Sequence, residues 1–131
     1  NLEALLDRES PDVIVHPCVL EGVYLNDLVE ASNQREIPLV VIMNSWDNPS
    51  TKNAMVGVPT WLLVWGDQTR SHALEYARIP QKSVISFGAA QFEVYRNQPR
   101  IGRAKFLHQN NLPEDCPVLL YAGSSKGTRR D

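Results

Sequence analysis

Cysteine is scarce in this 131-residue sequence: only Cys18 and Cys116, far apart in the chain. Two thiols at that separation make neither a disulfide framework nor a metal-ligand cluster. Both are expected to be small, reduced core residues, which fits a cytoplasmic compartment. Long apolar runs are also missing. A bilayer span needs roughly 18 consecutive apolar residues, and the longest runs here, Pro38–Met43 and Trp61–Trp65, are of strand length. No signal peptide is visible. An excess of positive charge is lacking too: 13 Lys and Arg against 15 Asp and Glu give a net charge of −2. That excludes a uniformly basic nucleic-acid binder. Neither the Gly-x-x-x-x-Gly-Lys-Ser/Thr spacing of a phosphate loop nor a Gly-x-Gly-x-x-Gly fingerprint occurs.

What is present is globular. An apolar share of 43% can bury a real core, and the length sets a ceiling near one compact domain. Charge is uneven. Residues 1–95 carry 6 Lys/Arg and 12 Asp/Glu, a net −6, whereas residues 96–131 carry 7 and 3, a net +4. A basic segment on an acidic body can face phosphate, an anionic lipid surface or nucleic acid, or simply be a solvated linker. The sequence starts at Asn1 in what reads as mid-helix and stops at Asp131 just after a strand and loop. It is therefore expected to be a piece of a longer chain.

Short apolar runs alternate with helical patterns, the signature of an α/β protein with a parallel sheet. Leu2, Leu5 and Leu6 have helical spacing. Residues 12–16 read as a short buried strand between Pro11 and Pro17. Tyr24, Leu25, Leu28 and Val29 share one helical face. Leu39–Met43 is apolar throughout, which predicts burial on both faces, as in a doubly wound sheet. A polar loop, residues 44–50, leads to a short helix expected over 51–56. Strands follow at 61–65 and 84–87, with a helix between them capped by Thr69 and running to Ala77 or Arg78. Residues 96–103 lack apolar periodicity and read as a linker. Beyond them come a helix ending near Asn110 and a fifth strand over 117–122.

Ligands of open parallel sheets bind outside the carboxyl ends of the strands, and three loops qualify. The first contains His16-Pro17-Cys18, with His16 at a strand end. The second, residues 44–52, brings together Ser45, Trp46, Asp47, Ser50, Thr51 and Lys52. Asp47 is a candidate general base, if a hydroxyl comes within hydrogen-bond reach. Lys52 near a helix N-terminus would meet a phosphate. The competing reading is structural, with Asp47 or Ser50 as an N-cap and Lys52 solvated. The third loop, Gly123-Ser124-Ser125-Lys126, offers backbone N–H groups and hydroxyls to a diphosphate. Trp61 and Trp65 share one side of a strand and are expected in the core, whereas Trp46 on its loop is free to touch a ligand.

Taken in order, these motifs resemble GT-B glycosyltransferase-like proteins. Residues 44–52, Asn-Ser-Trp-Asp-Asn-Pro-Ser-Thr-Lys, look like the acceptor-side loop of that family. The match extends through residues 64–68, His72-Ala73, residues 77–80, Val84 and residues 87–93. The last of these resembles a Gly-Ala-Pro-Gln-Phe-Asp motif, with Ala90 for Pro and Glu93 for Asp. Arg103 and residues 112–115 and 117–124 resemble the opening of the second, donor-binding domain. The CDP-glycerol glycerophosphotransferases are more distantly similar: their Trp-His-Gly-x-Pro-x-Lys loop matches Trp46 and Lys52 at the same spacing, with Asp47 in place of the His.

The resemblance implies a Rossmann-like parallel sheet flanked by helices, as part of a two-domain GT-B architecture. Residues 1–95 would form part of the acceptor-side domain, 96–103 the linker and 104–131 the start of the donor-side domain. It implies transfer of a sugar, or a sugar-like phosphate group, from a nucleotide-activated donor to a surface polysaccharide or glycolipid acceptor. Asp47 would be the base, His16, Ser45, Trp46 and Lys52 would bind substrate, and Gly123, Ser124, Ser125 and Lys126 would hold the donor phosphates. No cofactor and no metal are implied, in keeping with the lack of an Asp-x-Asp pair. Nucleic acid is not an expected partner beyond the donor's nucleotide. The expected place is the cytoplasm at the inner face of the membrane, with Arg96, Arg100, Arg103 and Lys105 assisting peripheral contact. Exposed sheet edges would invite pairing between copies. The isolated 131 residues are expected to be inactive. Two other readings compete: a sugar-nucleotide epimerase of the same build, and a non-catalytic flavodoxin-like binding module.

Overall fold

A computed structural model describes residues 1–97, 100–115 and 117–121. Two compact units divide the chain, Asn1–Arg96 and Asn97–Asp131. The first is an α/β unit with a Rossmann-like, four-stranded, all-parallel sheet. Its elements are α1 (Leu2–Glu9), β1 (Ile14–Cys18), α2 (Leu25–Arg35), β2 (Leu39–Met43), α3 (Asn48–Thr51), β3 (Trp61–Val64), α4 (Asp67–Glu75), β4 (Val84–Ser86) and α5 (Val94–Asn97), whose last residue opens the second unit.

The strands lie in the order β1-β2-β3-β4. A crossover between parallel strands is right-handed, so steps that never change direction lay their helices on one face. The core follows that rule. Leu39, Val41 and Met43 of β2, Leu62 and Val64 of β3, and Val84 of β4 are buried in one cluster with Leu25, Leu28 and Val29 of α2 and Ala73 of α4. The intervening residues point the other way: Val15 is 55% exposed, Trp61 38% and Ile85 43%, while Val40, Ile42 and Leu63 of the two central strands are partly buried. The sheet is thus covered on one face among the described residues, not wound on both. Trp61 lies on that open face instead of in the core.

β1 falls two residues later than its apolar run suggests and is an edge strand, half exposed. The Ile14 N–H donates to Pro38 O and the Asn44 N–H to Cys18 O. Even-numbered residues therefore face β2, and the absent N–H of Pro17 falls on the outer edge, where a strand tolerates proline. α1 packs beside α2, with Arg35 of α2 bridging Glu3 and Asp7. The chain then leaves α3 and crosses over α2 at Gly57. There φ is +92°, and a Cβ would lie 2.9 Å from Val29 Cγ1, so both the backbone and the space require glycine.

Two further boundaries move. The helix expected over 51–56 is α3, set earlier by the turn that Asp47 and Pro49 start. α4 begins after Gly66, which puts Thr69 inside the helix and buried, not at its cap.

In the second unit, α6 (Arg103–Gln109) closes at Asn111, where φ is +53° and the Leu112 N–H bonds to Leu107 O. Residues 117–121 form no strand, and Leu119 and Leu120 are almost fully exposed. A strand needs a neighbour to satisfy its backbone, and no described segment pairs with these residues. No helix among the described residues is long and apolar enough to cross a membrane.

Candidate functional site

The carboxyl ends of β1, β2 and β3 carry the polar residues, and the β2–α3 loop is the best organised of these places. Parallel pairing continues one residue past β2, so Asn44 is fixed before the loop begins. Asn48 then locks the turn from within. It is buried, and its Oδ1 accepts the Ser45 N–H at 3.0 Å. Pro49, also buried, starts the one-turn α3 with its φ preset.

Asp47 is the hub. The Ser45 hydroxyl donates to its Oδ1 at 2.6 Å, and the Thr51 hydroxyl lies 3.2 Å from its Oδ2. The Ser50 and Thr51 hydroxyls both reach its backbone carbonyl, at 3.0 and 2.9 Å. The Ser45 hydrogen bond, followed by smaller contributions from Thr51 and from Lys52's charge, holds this carboxyl below its ordinary range. Asp47 is therefore an anion at neutral pH. Oδ1 is firmly engaged, and Oδ2 has the longer contact. Its neighbour Trp46 is half exposed. Ser45 and Asp47 are thus hydrogen-bonded to each other, with Trp46 between them in the chain.

Lys52 and His16 are placed otherwise. Lys52 caps the C-terminal end of α3, where the helix dipole opposes phosphate binding. Its ammonium faces Glu21, 3.8 Å away, across the β1–α2 loop. His16 lies within β1, two residues before the strand ends. It lines a cavity of about 440 Å³ with Leu2, Leu5, Tyr24 and Leu28, under α1 and α2 and away from the β2–α3 loop. Cys18, which follows, is buried and free. Burial pushes its thiol up, against the Leu20 N–H that it accepts at 3.4 Å, so it is a poor nucleophile. Gly123, Ser124, Ser125, Lys126 and Cys116 lie outside the described residues. Among the described residues no group of three or more His, Cys, Asp or Glu could hold a metal ion.

A second feature lies after β4. Phe87, Gly88, Ala89, Ala90, Phe92, Glu93 and Arg96 line an open cleft of about 460 Å³. Gly88, at φ +97°, turns the chain there. Trp65 ties this cleft to the β2–α3 loop. Its indole N–H donates to Met43 O at 3.1 Å, and its ring meets Phe92 edge to face at 5.4 Å. In the sequence Phe87 ends a strand that Gly88 closes, Phe92 and Tyr95 mark a short irregular or helical turn, and residues 87–93 carry the family-like motif; none of these names a cleft. The small residues Gly88-Ala89-Ala90 between Phe87 and Phe92, directly after a strand, are the sequence signal for a cleft.

No family model, no curated protein and no solved structure matches this chain.

Proposed function

We propose that these residues serve the acceptor side of a nucleotide-sugar-dependent glycosyltransferase, working on a polysaccharide or lipid-linked acceptor at the cytoplasmic face of a membrane. One observation supports this above the others. The loop after β2 carries an ionised carboxylate ordered by two hydroxyls, beside a half-exposed tryptophan, at the carboxyl end of the sheet where α/β folds bind ligands. An acceptor hydroxyl taking Thr51's place at Oδ2 would be positioned to give its proton to Asp47 as its oxygen bonds to the anomeric carbon of the donor and the nucleoside diphosphate leaves with the electrons of the broken C–O bond. Ser45 holds the other oxygen and fixes the carboxylate plane. Trp46 offers an apolar face to a sugar ring. A depressed pKa makes Asp47 a weak base, so its contribution lies in orientation and in charge at the moment of transfer.

The test uses the full reading frame that encodes this sequence, assayed with nucleotide sugars and acceptor glycans. Glycosyl transfer that Asp47→Asn lowers by at least two orders of magnitude, with folding unchanged, is the expected result. Free isomerised sugar without transfer would assign the protein to the epimerases. Undiminished transfer in Asp47→Asn would remove Asp47 as the base.

A further inference from the structure

The cleft after β4 is a second binding feature, and its chemistry can be read from its walls. Gly88, Ala89 and Ala90 line it with little or no side chain to fill it. Phe87 and Phe92 flank it, and each is about half exposed, at 56% and 50%. Glu93 and Arg96 stand along it with their charges 3.6 Å apart. Exposed aromatic rings beside a cavity lower their free energy by covering apolar area. A carboxylate next to a guanidinium offers an acceptor and a fork of donors side by side. Adjacent hydroxyl groups, each both donor and acceptor, match that pair.

We propose that this cleft binds a pyranose ring, as a saccharide subsite separate from the Asp47 loop. A sugar presents apolar C–H faces to aromatic rings and hydroxyls around its edge, which fits walls of this composition. A nucleobase fits less well. It favours a flat platform or a slot between parallel rings, and the rings packed on the Phe92 wall from outside the cleft stand at 72° (Trp65) and 38° (Tyr95) to it, so no parallel stack extends from that wall. The volume of about 460 Å³ leaves room for more than one sugar residue. Two strand spacings separate the ends of β2 and β4, about 10 Å, which is of the order of a disaccharide's length. Trp65 joins the two places through Met43 O and Phe92. The acceptor is therefore a chain of sugars, held by the cleft while an end hydroxyl lies at Asp47. That last role rests on the transferase reading. The binding itself does not.

The experiment titrates the 131-residue chain with cellobiose and maltose, and in parallel with uridine and adenosine, following tryptophan emission. Trp65 touches Phe92, so occupancy of the cleft changes its environment. The expected result is a saturable change with a disaccharide in the millimolar range and at least a tenfold weaker affinity in Phe92→Ala, equivalent to about 1.4 kcal/mol. Glu93→Gln, on an exposed side chain, is expected to weaken binding by a smaller factor with an unchanged circular dichroism spectrum. It decides the question if Phe92→Ala fails to fold. No saturable change with either disaccharide overturns the proposal, as does saturation by the nucleosides alone. Undiminished affinity in both variants overturns it as well. Disaccharide binding without transfer by the full reading frame would leave the subsite standing and remove the transferase reading. Transfer with an unchanged acceptor KM in Phe92→Ala would do the reverse.

Discussion

The two faces of the sheet carry similar residues and meet different fates. Leu39, Val41, Leu62 and Val64 are wholly buried under α2 and α4. Val15 of β1, Trp61 of β3 and Ile85 of β4, on the other face, are more than a third exposed. Side-chain type does not separate the two sets. The direction of the connections does, because a strand order that never reverses keeps its helices on one side. Apolar character therefore states what a face could bury, and topology states what it does bury.

The comparison breaks most sharply under truncation. Leu62→Ala leaves a cavity beneath α2 and α4 and should cost about 2–5 kcal/mol. Ile85→Ala, one strand away on the open face, should change stability by no more than about 0.5 kcal/mol. Urea midpoints of the two variants measure the difference, and equal losses would mean that the open face is covered in solution. Gly57→Ala comes next. It forces a positive φ on alanine and presses a Cβ against Val29, so about 1–3 kcal/mol should be lost. Gly66→Ala, where a Cβ meets nothing within 4 Å, is its control. A smaller effect belongs to Ser32, which is buried at the end of α2. Its hydroxyl donates to Ile37 O at 2.5 Å, closing the turn into β2. Ser32→Ala should cost about 1 kcal/mol by thermal or urea unfolding, while Ser50→Ala, exposed in α3, should cost less.

Much of this was legible in the residues. Leu39–Met43 named its own strand, because five consecutive apolar residues between turn signals have few alternatives. The β2–α3 loop declared its polar cluster: Asn48 accepting the Ser45 N–H is the bond to nearby backbone that such side chains make, and the Ser45 hydroxyl reaches the Asp47 carboxylate two residues on. Other features needed three dimensions. Continuous hydrophobicity in β2 suggested two covered faces, but strand order is not written in any one strand. Lys52 looked like a helix N-terminal cation only while the helix was expected to begin at residue 51. Once Pro49 starts it earlier, the same lysine stands at the opposite end. The cleft after β4 is lined by residues between 87 and 96, close together in the chain, but its tie to the β2–α3 loop depends on Trp65 reaching Phe92, 27 positions away, and no local pattern encodes that meeting.

The smallest expected effect lies at the rim where the two faces meet. Asp47's carboxyl is held below its ordinary value, chiefly by the Ser45 hydroxyl, so the folded loop prefers the anion. The sign follows by linkage. A group whose folded pKa is depressed contributes stability that is fully present above its unfolded value, about 3.9 for aspartate, and is lost as pH falls through the lower folded value. Between pH 5 and 8 the loop should therefore show no titration of its own. Below about pH 4, Trp46 emission and the Asp47 carboxyl resonance should move together, before the buried face unfolds. Because this carboxylate is open to solvent, the contribution is screened, and Ser45→Ala should raise the midpoint toward the ordinary value with little change in overall stability. A titration at the ordinary aspartate value in the unaltered chain would mean that Ser45 does not hold Oδ1 in solution. The rim would then be as loosely specified as the open face, rather than as ordered as the covered one.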